Sequence, residues 1–348
     1  MKTSFVSTSA INQALRYSMV RLQSDLTKGQ TEMATLRVAD VGLALGNRTG
    51  QSVSLGRDIS RLNSVVDSNA LASSRLSSTQ SILGQLAERG EELRSTLAAA
   101  LSGDSQPGIV QQDAVNMIEA MTSMLNTSYN GAYLFGGINT DVQPFADFRD
   151  PASPNRVAFD NAFMARFGFS QDDPQAATIT KAEMEDFIDN DVTSLFMGSD
   201  WSDWSSASDQ PIVSRIALNE TAETSVSANI TGVRKLALAA AISSSLLSSG
   251  YLNDGAVSAV VERALGTVAE GVAEINDVRT VTGINETRVK NATARIEMQV
   301  DLFERSVQGL EGVDPYEAST RVSALVTQIE TAYSLTSRLQ QLSLLKFI

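Results

Sequence analysis

The chain has 348 residues, 40 of them acidic and 27 basic, giving a formal net charge of −13, and it contains neither histidine nor cysteine. Those two absences remove imidazole acid–base and nucleophile chemistry, the best zinc and copper ligands, and every disulfide. The acidic balance argues against nucleic acid, whose partners carry a basic footprint. The most apolar run, residues 236–247, is interrupted by serines and too short to span a bilayer, so membrane insertion is not expected.

The first residues carry one early lysine and no apolar stretch, so a cleavable secretory signal is not expected. The chain then stays in the cytoplasm or leaves by a route that reads no such signal. Next, Leu15, Met19, Leu22, Leu26, Met33 and Leu36 follow a four-three spacing that predicts an amphipathic helix. Residues 38–50 place Gly42, Gly46 and Gly50 four apart. With no Gly-Lys-Ser/Thr following, this reads as a connector and not a phosphate loop.

No proline occurs in residues 1–106 or 212–314, which permits long uninterrupted helices. From Leu55 every seventh residue is leucine up to Leu83, Asn69 excepted, and Gly90 breaks the row before Leu97. Residues 109–129 carry Val110, Ala114, Met117, Met121 and Met124 at helical spacing, where core packing outweighs a methionine binding surface. The glycines and proline of 103–108 make a turn between these helices.

Residues 146–230 are different material, with 15 acidic against 5 basic side chains, 9 of the 20 aromatics and 4 of the 7 prolines. They read as a separate mixed domain. Thr180 and Glu183 form a capping-box pattern ahead of a helix to Phe196, and 211–218 and 224–229 read as short strands. Asp189, Asp191, Asp200, Asp203 and Asp209 invite calcium, but the EF-hand spacing fails and a solvated acidic face is the expectation. Trp201 and Trp204 read as core more than as a binding face. Paired carboxylates leave a glycan-binding or hydrolytic reading open. No catalytic, metal or cofactor residue is assigned.

A second seven-residue seam starts at Val261 and runs through Val268, Val272, Ile275, Val289, Ile296, Val300 and Val307 to Leu310. It is interrupted at Arg279, Thr282, Glu286 and Thr293 and softened by Gly266, Gly271 and Gly283. Asp314 and Pro315 then mark a helix start, followed by Val322, Leu325, Ile329, Ala332, Leu339 and Leu342 in the same rhythm as the opening helix. The sum is a mainly α chain, a long-helix bundle built from both ends with a small α+β insertion in the middle.

One internal stretch is more specific. Asn130, Gly131, Tyr133, Phe135, Gly137, Thr140, Pro144 and Phe145 stand at spacings that resemble the signature of the bacterial hook–filament junction proteins, the third hook-associated proteins of the flagellin family. The tail, from residue 310 to Lys346, Phe347 and Ile348, is similar to that family's carboxy-terminal helix. The usual arginine and Asp-Asp connector is replaced here by 38–50, which keeps only Asp40.

The resemblance implies terminal assembly helices at 1–36 and 314–348, a connector at 37–54, a helical rod from 55–145 with 231–313, and an inserted outer domain at 146–230. It implies export through the flagellum's own apparatus and terminal helices that order on assembly. The seam residues Leu15, Met19, Leu22, Leu26, Val322, Leu325, Ile329, Leu339 and Leu342 would carry the contacts. The implied partners are other hook-associated proteins, flagellin, copies of the chain in a ring, and an export chaperone. The alternative within the family is a flagellin, the bulk filament subunit.

Overall fold

The computed structural model describes residues 8–248 and 250–344, with side chains described over 10–248 and 250–338. Two helices dominate it, α3 (Thr49–Leu101) and α9 (Asp254–Glu311), which occupy the two proline-free stretches. Along α3 the leucine row is buried at Leu76, Leu83 and Leu97, and along α9 the seam is buried from Val261 to Val307. Gly90 does not interrupt α3. A Cβ there would lie 2.6 Å from Val272 Cγ2, so the glycine is a place of close helix approach.

The polar gaps in the seams have partners. Buried Asn69 donates from Nδ2 to the Ile216 carbonyl at 2.9 Å and to Thr293 Oγ1 at 3.1 Å. Gln80 donates to the Arg279 carbonyl, and Thr282 donates to that of Val278. A buried polar side chain is tolerated in a helix seam when its hydrogen bonds are made.

α4 (Pro107–Leu125) starts on its proline and buries Val110, Ala114, Met117, Ile118 and Met121. It packs against α8 (Thr231–Leu246), which is apolar on nearly every side and buried on nearly every side. α8 lies within residues 231–313, which the resemblance assigns to the helical rod. Its start touches α9 closely: a Cβ on Gly232 would meet the Gly271 carbonyl oxygen at 2.9 Å.

The middle of the chain shares its core with the bundle and moves one expected strand. Residues 146–230 do not close a core of their own. Phe148, Phe159, Phe163, Phe187, Phe196, Trp201 and Trp204 belong to one continuous core with Leu83, Met117, Leu236 and Val260. The acidic surface suggested independence, but the aromatics face inward. The helix after Thr180 keeps its capping box and passes from α6 (Lys181–Asp186) through a π-helical stretch (Phe187–Val192) into α7 (Thr193–Met197).

The second strand is also displaced. β3 (Val213–Ala217) pairs antiparallel with β4 (Glu220–Glu223), and 224–229 is a buried loop. The chain turns early, at Leu218 and Asn219. The residues that follow bond elsewhere, with the Ala228 N–H donating to the Phe135 carbonyl at 2.8 Å.

The described residues divide into two compact units. One comprises residues up to Ser64 and from Ile296 onward; the other is Val65–Arg295. No described helix is long and apolar enough to cross a membrane.

Candidate assembly surface

The first unit holds the two terminal helices, α1 (Thr8–Thr35) and α10 (Pro315–Leu344). They run antiparallel. Gln23 Nε2 donates to the Tyr333 hydroxyl at 3.1 Å, and nearer the other end Arg321 bridges Glu32 at 3.0 Å and Glu317 at 2.7 Å. Gly29 is the contact point, since a Cβ there would stand 3.0 Å from Val322 Cγ2 and 3.9 Å from Leu325 Cδ1.

The predicted seam lies between these helices. Leu15, Met19, Leu22 and Leu26 on α1 and Val322, Leu325 and Ile329 on α10 are all half-buried. Leu339 and Leu342 lie on α10 with side chains outside the described ones, and Phe347 and Ile348 lie outside the described residues altogether. Two helices cannot fully enclose one another's apolar stripe, so the seam keeps contact with water. A second set of apolar residues is more exposed still: Tyr17, Val20, Met33, Leu36, Val326, Tyr333 and Leu335, with Tyr316 at 86%. Met33 and Leu36 follow the four-three spacing of the opening helix and yet face water, whereas the rest of this outer set falls outside that spacing.

Where the two helices leave the rest of the unit, the chain segments lock together. The Val38 N–H donates to the Glu311 carbonyl at 2.9 Å, and the Val313 N–H donates to that of Leu36 at 3.1 Å. Buried Glu311 accepts from the buried Ser52 hydroxyl and sits 3.5 Å from Arg37. The 38–50 connector forms α2 (Val41–Leu45), capped by Asp40, whose carboxylate accepts the Leu43 N–H at 3.0 Å, and then one 3₁₀ turn. Its glycines serve no close packing, because Gly46 and Gly50 face open space. Leu43 stands 80% exposed on this elbow.

In the second unit, the signature residues build a structural knot. Asn130 and Gly131 both take positive φ, 51° and 79°, in the two-residue turn joining β1 (Ser128–Tyr129) and β2 (Ala132–Tyr133). The Tyr133 N–H donates to the Thr140 carbonyl at 2.8 Å, and Arg75 donates to that of Tyr133 at 2.7 Å. Burial draws the Arg75 guanidinium below its ordinary pKa. Phe135 is fully buried. Gly137, at φ 63°, leaves room for the Ser208 carbonyl oxygen, which would lie 2.4 Å from a Cβ. Pro144 is buried and its carbonyl accepts from Ser206, while Phe145 packs against Trp201 and Trp204 with ring centroids 6.1 Å away in each case. Asn126 clamps Phe145 by both backbone groups, at 2.9 and 2.8 Å.

The acidic residues considered for calcium are dispersed. Asp189 pairs with Arg263 at 2.8 Å and Asp191 with Arg166 at 3.8 Å. Among the described residues no group of three carboxylates is arranged to hold a metal ion. Both tryptophans are buried, so neither offers a stacking platform to a glycan.

Comparison with known proteins fits this architecture. The bacterial flagellin N-terminal helical region matches residues 6–140, and the bacterial flagellin C-terminal helical region matches residues 265–348. No curated protein matches. A solved structure described as a flagellar hook-associated protein from Vibrio parahaemolyticus superposes with a TM-score of 0.51 over 76% of this chain and 97% of that one. At 11% identity that likeness is one of fold. Matched at both ends over more than half its length, and mainly helical with a small strand-containing middle, the chain belongs to the flagellin family.

Proposed function

We propose that this structural protein of the flagellum is the adaptor that joins the hook-associated layer to the flagellin filament. The observation that carries this reading over a bulk filament subunit is the stretch Asn130 to Phe145. It resembles the junction-protein signature, and its residues make a specific knot of positive-φ turns and aromatic packing. Its partners would be other hook-associated proteins, flagellin, copies of itself in a ring, and an export chaperone before assembly. The role requires no catalysis.

Assembly works through α1 and α10. In one subunit their seam is half-buried, and an outer apolar set from Tyr17 to Leu335 faces water. Neighbouring subunits cover both, and the buried area offsets the ordering entropy of two otherwise marginal helices. The decisive experiment is deletion of the gene. Shed filaments and free flagellin in the medium support an adaptor; loss of the bulk filament protein itself identifies a flagellin and overturns the proposal. Immunogold labelling confined to the hook–filament boundary is the expected location.

A further inference from the structure

The second unit contains a cavity of about 460 Å³ beside the β3–β4 hairpin. Its walls are apolar, formed by Leu76, Pro211, Val226, Ile230, Val278 and Val281, and Asp209, Glu223 and Asp277 also line it. No lysine or arginine lines it. Among the described residues Glu223 and Asp277 make no ion pair or hydrogen bond through their side chains, while Asp209 accepts from Asn229 at 2.7 Å and faces the charge of Arg234. The apolar surface continues outside the cavity through exposed Val281 and Ile284 on α9 and exposed Val213, which pairs with Glu223 across the hairpin. Such a skirt is wider than a small cation would cover. The chemistry asked of an occupant is an aliphatic side chain beside a positive charge, carried on a larger surface.

The chain supplies one. Residues 41–57 contain no acidic side chain, and within them Val53 and Arg57 stand four apart on α3, on one helix face and both exposed. Neither Arg57 nor nearby Arg48 has an ion-pair partner among the described residues. Charge over the whole molecule points the same way. Residues 65–295 hold 29 acidic and 15 basic side chains, a net −14, whereas the other unit, residues 1–64 with 296–348, holds 11 acidic and 12 basic, its positive excess lying in 1–64 with 4 acidic against 8 basic. Subunits in a polymer meet less repulsion where a positive segment of one copy faces the negative unit of the next. We propose that the cavity receives Val53 and Arg57 of a second copy of this chain, a heterologous contact that passes from subunit to subunit. This rests on the assembly role proposed above.

The lack of cysteine makes a direct test possible. Val53→Cys and Val281→Cys are introduced together and singly, flagellar structures are isolated from cells, and oxidised samples are run on non-reducing gels. The double variant is expected to give covalent dimers and higher species, and the single variants none. Arg57→Glu in that background should lower the yield roughly ten-fold, with recovery on adding Asp277→Arg. A structure that contains the chain yet gives no ladder overturns the contact and leaves the assembly role standing. A ladder from Val20→Cys with Val281→Cys in its place moves the contact to α1 and overturns the assignment. Absence of the chain from the isolated structures overturns the assembly role, and this contact with it.

Discussion

Single glycines show how differently one residue type is used. Gly131 sits at φ 79° with open space around its missing side chain, whereas Gly137, at φ 63°, would drive a Cβ into two carbonyl oxygens at 2.4 and 2.7 Å. Gly131→Ala should therefore cost only the left-handed backbone strain, about 1–2 kcal/mol. Gly137→Ala should cost about 3 kcal/mol or more, because backbone must move as well. Thermal unfolding of the two variants checks this, and equal losses would contradict the close approach. Asn69 is a different test. Asn69→Leu restores the leucine row but abandons the Ile216 carbonyl and Thr293 hydroxyl, so the net gain from added apolar burial should be small, under about 1 kcal/mol.

At the scale of elements, the α1–α10 pair is the vulnerable one. Its seam is half-buried, while the α4–α8 pairing is enclosed in the main core. Leu325→Asp places a charge where Leu325 meets Gly29 and should cost about 2 kcal/mol, enough to open the pair. Circular dichroism should show partial loss of helix at 25 °C, while the second unit keeps its melting transition and filaments fail to assemble. Removing residues 315–348 should act in the same way. Hydrogen exchange on the dilute subunit should find α1 and α10 exchanging faster than α4 and α8; strong protection of all four would contradict a pair that relies on neighbours.

For the whole molecule, charge sets the pH response. The Asp147 carboxyl is held below its ordinary 3.8 by hydrogen bonds from Arg149, and that of Glu262 below 4.5 by Lys181 and Ser258. Groups lowered on folding stabilise the native state above their unfolded pKa, and that contribution is lost as pH falls through the folded value. Lys235 is raised above 10.5 by Glu270 and Glu274, so its contribution holds below that pH and is lost as pH climbs through the folded value. Melting temperature should thus be flat between about pH 6 and 9 and fall below about pH 4. The Asp147 and Glu262 side chains keep contact with solvent, so salt should flatten the acid limb. Steady stability down to pH 2 would contradict these pairings.

Much of this was written in the sequence. Seven-residue spacing and long proline-free runs specify α3 and α9, because a periodic apolar stripe can be buried only by a helix packed along it. The spacing in residues 130–145 marked the signature, since positive φ at Asn130 and Gly131 and the tight approach at Gly137 demand particular residues. Tertiary structure decided the rest. Local pattern cannot tell that the aromatics of 146–230 join the bundle's core, that the hairpin turns at Leu218, or that α8 is buried in that core on nearly every side. Nor can spacing say which apolar stripe the two terminal helices spend on each other and which they leave facing water. Those outcomes depend on contacts between residues distant in sequence, whose burial is settled only when the whole chain has folded.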